Sequence, residues 1–437
     1  MRIRLYNAYV ITCNDNFDIF ENGEVWVEDD KIVYVGPAKT GFMADKKVDC
    51  LGDVIMPGFV NSHTHLPMQI FRGVAEDTDF SGWWYDNIRP LENHITGPDM
   101  YWSTLLGIAE MVRGGTTCTL NNYFHQKSML RAFETSGMRG AIAIDVRYKL
   151  PKEERRDEWE NRHASLDKGN PLVTFFVSSH SIFSVDETGL NDCTALAKKY
   201  GLPQSIHLCE TLNEVGNCVK EHGVSPVKYL EQLGFFDYPT TIAHGVHVDK
   251  EDMEILKKYD VKVAINMSSN LKLGSGIAPV YSYINKGVDL SLGTDSVASN
   301  NSLNMFKEMF LAAAITKVMV KDANALPAKD AILMATRGGA RALFLEDKIG
   351  QLTVGYQADI IRISTKEPHW QPVNDVVTHL VYSASASDVV MTIVAGNVLY
   401  EKGNFYIGES YANICERCEE NIKRLMKERD LEKQENI

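Results

Sequence analysis

At 437 residues, 44% hydrophobic and 24% charged, the chain is long enough for two or three domains, or for one α/β barrel that takes most of it. A formal charge of −13 argues against a nucleic-acid or anionic-membrane surface, both of which call for basic patches. No stretch reaches the roughly 18 apolar residues of a membrane-spanning helix, and Asn7, Asn14 and Asp15 break up the start of the chain where a signal peptide would be unbroken and apolar.

Residues 1–57 read as β-rich. Short β-branched runs at 4–12, 23–27 and 31–35 are separated by Asn14-Asp15-Asn16 and Asp29-Asp30 as turns. This is too little to close a core alone. From Val54 to about residue 345, strands alternate with helices. Eight apolar runs end near Ser62, Asn121, Arg147, Ser179, Glu210, His244, Met267 and Asp295, with helical stretches such as 100–112, 187–200, 226–233 and 251–259 between them. Alternation implies parallel strands joined by crossovers, and eight units imply a closed (β/α)8 barrel of the TIM type over residues 58–345. Ser184 with Glu187, and Thr211 with Glu214, have the spacing of capping boxes and fix two strand ends just upstream.

Beyond residue 345 the chain returns to strands and turns. A turn at 350–359 leads into a strand at 360–363, and 389–394 with 398–400 reads as a hairpin. Both terminal β segments lack partners. They are expected to pair into one small β-sandwich domain built from residues 1–57 and 346–437, ending in a charged amphipathic helix over 409–436. The eight cysteines form no framework and read as reduced thiols of a cytoplasmic protein; Cys415 and Cys418 make a CxxC that is read as structural. The sequence has no internal repeat and no low-complexity segment.

In a parallel barrel the functional groups gather where strands end and βα loops begin. His63 and His65 follow Pro57-Gly58-Phe59-Val60-Asn61-Ser62, one residue apart, so a strand puts both imidazoles on one face. The fourth strand ends in Ser178-Ser179-His180, the fifth carries His207 and Glu210, the sixth His244, and the eighth ends in Gly293-Thr294-Asp295. His63, His65, His207 and Asp295 together supply three imidazoles and a carboxylate, which suits one divalent ion, Zn2+ first and Fe2+ as the alternative. Such an ion brings the pKa of a bound water toward about 7. Asp295 can then take the water's proton, His244 can orient the hydroxide, and Glu210 can pass a proton to a ring nitrogen of the substrate. Each residue also has a plainer reading: His207 and His244 as hydrogen-bonded core histidines, Asp295 as a helix cap, Glu210 as a first-turn carboxylate, His180 as a packing or capping group. Trp83, in the loop after the first strand, can stack on a flat base, and Arg147 can pair with a carboxylate or ribose hydroxyl; loop packing and a surface ion pair are the alternatives.

These residues resemble the amidohydrolase superfamily, in its cytosine deaminase, triazine hydrolase and methylthioadenosine/S-adenosylhomocysteine deaminase branch. The matching pieces are Pro57 to His65, Arg72-Gly-Val-Ala-Glu-Asp77, Gly114-Gly-Thr-Thr117, His207-Leu-Cys-Glu-Thr211, Ala243-His-Gly245, the stretch from Ser269 to Pro279, Gly293-Thr-Asp295 and Ser299-Asn-Asn-Ser-Leu-Asn304. The resemblance implies one metal on His63, His65, His207 and Asp295, with Glu210 and His244 doing the proton and hydroxide work. Dinuclear relatives carry a carboxylated lysine on the fourth strand; residues 172–179 contain no lysine.

The implied reaction is hydrolytic deamination of an aminated purine nucleoside of the S-adenosylhomocysteine, 5'-methylthioadenosine or 5'-deoxyadenosine class. Hydroxide on the metal replaces the amine and ammonia leaves; a histidine at the place of His180 helps to hold the nucleoside. Two departures bear on the substrate: Ser179-His-Ser-Ile-Phe183 stands where relatives more often have His-Ser-Pro-Tyr, and Asn266-Met267 where many have Asn-Pro. The alternatives are a triazine-type hydrolase, a guanine, pterin or cytosine deaminase, or, outside catalysis, a barrel used as a scaffold. A homo-oligomer is the family-based expectation.

Overall fold

The computed structural model describes residues 1–78, 82–147 and 150–435. Nine strands come from the two ends of the chain: β1 (Arg2–Ile11), β2 (Ile19–Glu28), β3 (Lys31–Pro37), β4 (Lys46–Asp49) and β5 (Val54–Pro57), then β14 (Ile360–Ile363), β15 (Val389–Val394), β16 (Asn397–Glu401) and β17 (Asn404–Phe405). Between them lie β6 (Phe59–Thr64), β7 (Thr116–Asn122), β8 (Arg139–Asp145), β9 (Val173–Ser181), β10 (Gln204–Leu208), β11 (Thr240–His244), β12 (Lys262–Ile265) and β13 (Leu290–Leu292).

The middle strands pair in chain order from β6 to β13, all in parallel, with helices in the crossovers. The two outer strands meet through Asp295 N donating to His63 O (3.0 Å) and Ser62 Oγ donating to Leu292 O (2.8 Å). This is the expected (β/α)8 barrel. Val60, Cys118, Leu120, Ala141, Ala143 and Phe176 form a cluster near the strand starts, stoppered by Ala340 and Leu343. The filled end leaves the strand termini at the other mouth for chemistry.

The terminal strands join into one mixed sheet in the order β17-β16-β15-β14-β5-β1-β2-β3, with β4 also on β1. Their buried side chains, Ile3, Leu5, Val25, Val27, Ile55, Ile360, Met391 and Ile393 among them, share a core of their own. The chain leaves this sheet and enters the barrel within one residue. Gly58 N donates to Asp359 O (3.0 Å), whereas Phe59 N donates to Gly115 O (2.9 Å). A Cβ on Gly58 would lie 2.1 Å from Thr117 Cγ2, so only glycine fits this switch. The two bodies are tied by a buried pair: Arg139 donates to both carboxylate oxygens of Asp359, at 2.8 and 3.1 Å.

Three local expectations are corrected. The third barrel strand stops at Asp145, two residues short of Arg147. The helix Glu187–Tyr200 is capped by Asp186, whose side chain accepts from Gly189 N (2.9 Å); Ser184 instead donates to Ser181 O. Thr211 does cap its helix, but the Glu214 carboxylate makes its close hydrogen bonds to Cys209 N and Glu210 N rather than closing a capping box. The terminal helix spans Tyr411–Glu435 and docks on the segment after β6 through Arg424 on Asp99 and Glu432 on His94 (2.9 Å). Cys415 and Cys418 lie on it, and all eight cysteines are free thiols. No helix among the described residues is long and apolar enough to cross a membrane.

Candidate metal centre

Four barrel strands bring their polar ends to one point. His63 and His65 sit at the end of β6 and just beyond it, His207 near the end of β10, His244 at the end of β11, and Asp295 in the turn after β13. The ligating atoms of His63, His207 and His244 lie within 4.8 Å of one another, as do those of His63, His65 and Asp295. Asp295 Oδ1 is 3.3 Å from His65 Nε2 and 3.6 Å from His63 Nε2. Among the described residues, the buried His63 Nε2 has no hydrogen-bond partner.

Proton accounting tests whether a cation fits here. His65 Nδ1 contacts Asn122 O (2.5 Å) and His207 Nδ1 contacts His180 O (2.6 Å). A carbonyl only accepts, so each Nδ1 carries the proton and each neutral ring presents a bare lone pair at Nε2. Those two lone pairs face each other at 3.2 Å, beside the carboxylate of Asp295. Without a positive centre the arrangement is repulsive; with a divalent ion shared among them it is a ligand set with its outer hydrogen bonds already made. The donors are nitrogen and oxygen, which suits Zn2+ or Fe2+ equally well.

The surroundings set the charge states. Burial pushes the His63 and His244 imidazoles down to about 4 and holds His207 well below its ordinary value. These rings are neutral at pH 7, as metal ligation requires. Burial acts the same way on His65, but the facing carboxylate of Asp295 outweighs it and raises that ring. Burial raises the Asp295 carboxyl too, yet the His63 and His65 rings that face it keep it well below the usual carboxylate range. Three donors hold it: Ser269 Oγ at 2.5 Å, Ser299 Oγ at 3.2 Å and Ser296 N at 2.7 Å. Glu210 is the opposite case. Burial, aided by the charge of Asp295, pushes its carboxyl up to about 8, so it is protonated at neutral pH. Glu210 Oε2 stands 3.7 Å from His244 Nε2. The Asn270 amide donates to His244 Nδ1 at 3.0 Å, which leaves the His244 proton on Nε2, toward the centre.

The backbone is bent to achieve this. His244 and Asp295 both adopt left-handed conformations, φ 76° and 58°. A non-glycine residue holds such a φ only where its surroundings over-determine it. At Gly293 a Cβ would come within 2.4 Å of Asn266 Oδ1 and 2.9 Å of His63 Cβ, so glycine is required beside the first ligand.

The other sequence candidates fall at varying distance from this point. His180 stands exposed at the mouth, its ring 4.5 Å from that of His207. Trp83 is buried and its indole N–H donates to Ala298 O (3.1 Å). Arg147 is exposed beyond the end of β8 and pairs with Glu158 at 3.3 Å. Sequence reading missed Asn270 and Ser269, which brace His244 and Asp295, and Glu92, which accepts from Tyr123 beside His65. All of these sit in helices of six residues or fewer, too short to show periodicity; only the Ser269-Asn270 stretch carried a signal, as part of the family resemblance.

A parallel β/α barrel whose strand ends converge three imidazoles, a carboxylate and a protonated acid has the build of a metal-dependent hydrolase. The chain belongs to the amidohydrolase family, whose profile matches residues 54–399. It is 36% identical over 405 residues to the 5-methylthioadenosine/S-adenosylhomocysteine deaminase of Thermoanaerobacter pseudethanolicus, covering 92% of this chain and 94% of that one. It is 39% identical to the 5'-deoxyadenosine deaminase of Methanothermobacter thermautotrophicus, covering 89% and 91%. In structure it is similar to an adenosine deaminase from Xanthomonas campestris with bound zinc, at TM-score 0.91 and 30% identity over 97% of this chain and 98% of that one.

Proposed function

We propose that the protein is a hydrolytic deaminase of aminated purine nucleosides, of the S-adenosylhomocysteine, 5'-methylthioadenosine or 5'-deoxyadenosine class. The observation that carries this is the placing of two carboxyls in one pocket, Asp295 against His63 and His65 and Glu210 3.7 Å from His244, with burial and the neighbouring charge pushing Glu210 up while the facing imidazoles hold Asp295 down. Loss of an amine from a cyclic amidine needs both a base for the attacking water and an acid for the ring. The names of the relatives support the substrate class.

His63, His65, His207 and Asp295 are the residues that would hold the ion. Zinc is the metal we assign over iron, supported by the zinc in the Xanthomonas structure. When bound, it supplies an acidified water at neutral pH. Asp295 takes the proton of the attacking water. The His244 Nε2–H donates to the attacking oxygen and orients it. Glu210 gives its proton to the ring nitrogen next to the carbon under attack. A tetrahedral carbon forms, the proton held by Asp295 passes to the amine, and ammonia leaves as the hydroxyl proton returns to Glu210 and the ring carbonyl forms. His180 at the mouth is assigned to the nucleoside. Trp83 offers it only a ring face, since its N–H is engaged, and Arg147 reaches it only by releasing Glu158.

Ammonia release from a substrate panel tests the reading. Turnover of at least one of the three adenosine compounds is expected; turnover only of triazines, guanine, pterin or cytosine overturns it. We further assign a barrel unit at residues 58–345 and a terminal unit at 1–57 and 346–437, supported by the strand membership above. Cytoplasmic residence is supported by the free thiols. A homo-oligomer is supported by the outer face of the helix Met305–Val320, where Phe310, Val318 and Met319 are exposed. Sedimentation analysis checks it, a monomeric mass being the contrary result.

A further inference from the structure

The helix after β10 begins with a cap that differs from the capping boxes among the described residues. At three helix starts the acidic residue in the third position returns to the N–H of the capping residue itself: Asp99 to Thr96 (2.7 Å), Asp252 to Asp249 (3.1 Å) and Asp388 to Ser385 (2.8 Å). At Thr211 the hydroxyl does its usual work, accepting from Glu214 N at 3.1 Å. The Glu214 carboxylate, however, makes its close hydrogen bonds further upstream. Its two oxygens accept from Cys209 N (2.9 Å) and Glu210 N (2.8 Å).

Those two N–H groups belong to the turn that separates His207 from Glu210. The turn is strained: Cys209 is fully buried and left-handed, with φ 54°. Its other side is held as well, because Cys209 O accepts from Val246 N (3.0 Å) and His247 N (2.9 Å), just after His244. The peptide on which Glu210 is mounted is therefore gripped by a buried carboxylate on one side and by the His244 turn on the other. Glu214 itself is 6% exposed and touches none of the proposed ligands by hydrogen bond.

We propose that Glu214 is a positioning residue. Its carboxylate fixes the Cys209-Glu210 peptide so that the Glu210 side chain stays against His244 and the substrate ring, and its loss moves the acid without emptying the metal site. This rests on the deaminase reading for its kinetic consequence and on geometry alone for its structural one. Glutamine keeps the size of the side chain, but its NH2 group would point at one of the two N–H donors. Aspartate keeps the charge, but is one methylene too short to reach both.

The test uses the full-length zinc-loaded protein and the variants E214Q, E214D and T211A. For E214Q we expect one zinc per chain, KM for the best adenosine substrate within about threefold, and kcat lower by roughly 10²-fold, the usual effect of a small misplacement of a reacting group. Amide exchange by mass spectrometry in peptides covering 208–211 is expected to quicken about tenfold or more. T211A, which weakens the same helix start but leaves the grip on the turn, is expected to keep kcat within about twofold. Unchanged exchange and kcat in E214Q overturn the proposal. So does T211A matching E214Q, which would reduce Glu214 to an ordinary cap, or loss of zinc from both E214Q and E214D, which would place its effect on His207. Should E214Q not fold, E214D is read by the same criteria. A wild-type protein that deaminates none of the nucleosides sinks the deaminase reading while the exchange comparison still decides the grip.

Discussion

Two places in the molecule bury charge, and they handle it in opposite ways. At the joint between barrel and terminal sheet, Arg139 and Asp359 are almost fully buried, yet their charges meet partners: the guanidinium donates to the carboxylate and to Gln357 Oε1, and Ala395 N donates to the carboxylate. At the barrel mouth the histidines are buried just as deeply, but two lone pairs oppose each other and His63 Nε2 has no hydrogen bond among the described residues. Burial of polar groups therefore does not mark a site by itself. What marks it is convergence that the protein leaves incomplete, because an incomplete set of donors is what an ion can finish.

The comparison is broken most directly by removing the ion. Chelation is expected to reduce turnover to background and lower the melting temperature, with Zn2+ restoring both; a chelated protein of unchanged activity and stability would end the metal reading. Next in size is Glu210→Gln, expected to cut kcat by roughly 10²-fold or more with zinc content unchanged. Lost zinc in that variant would make Glu210 a ligand rather than an acid.

A pH profile sharpens the same point. Burial, with the charge of Asp295, pushes the Glu210 carboxyl up to about 8, and the acid must be protonated to act, so kcat falls as pH rises through that group's pKa. A bound cation draws the limb below about 8. The limb is expected to vanish in Glu210→Gln, and its persistence there would assign it elsewhere. Smaller is Asn270→Ala, which frees the His244 ring: turnover should fall about tenfold, the lower end of effects for groups behind a ligand shell. At the joint, Arg139→Met should leave turnover per folded molecule and zinc content unchanged while costing about 3–5 kcal/mol of stability by denaturant titration, because Asp359 is left buried and unpaired. A kinetic defect there would mean that the two bodies communicate.

Much of the centre was legible in the sequence, because barrel strands end abruptly and their last polar residues stand out against apolar runs. His63, His65, His207, His244 and Asp295 were picked out that way, and the coordinates place them in two clusters that share His63. The braces were not legible from spacing. Asn270 reaches His244 from the short helix after the next strand, and Glu92 meets Tyr123 from a one-turn helix 31 residues away; helices that short leave no periodic trace. The Thr211-Glu214 spacing was read correctly as a helix start, but spacing alone does not show which N–H a longer acid will choose. The strand end at Arg147 was misplaced because Val146 extends the apolar run past the last ladder residue, Asp145.

One feature of the terminal sheet bears on how the chain is made. Strand β5 finds its antiparallel neighbour only in β14, with Met56 opposite Ile361, after the whole barrel has intervened. On the ribosome the first hairpins can assemble as they emerge, but the flank of β5 stays bare until synthesis has passed residue 363. Such a long wait with an open edge favours partners from neighbouring nascent chains. Yield in a recombinant host should therefore respond to slower translation or added chaperone more than to changes in the metal pocket.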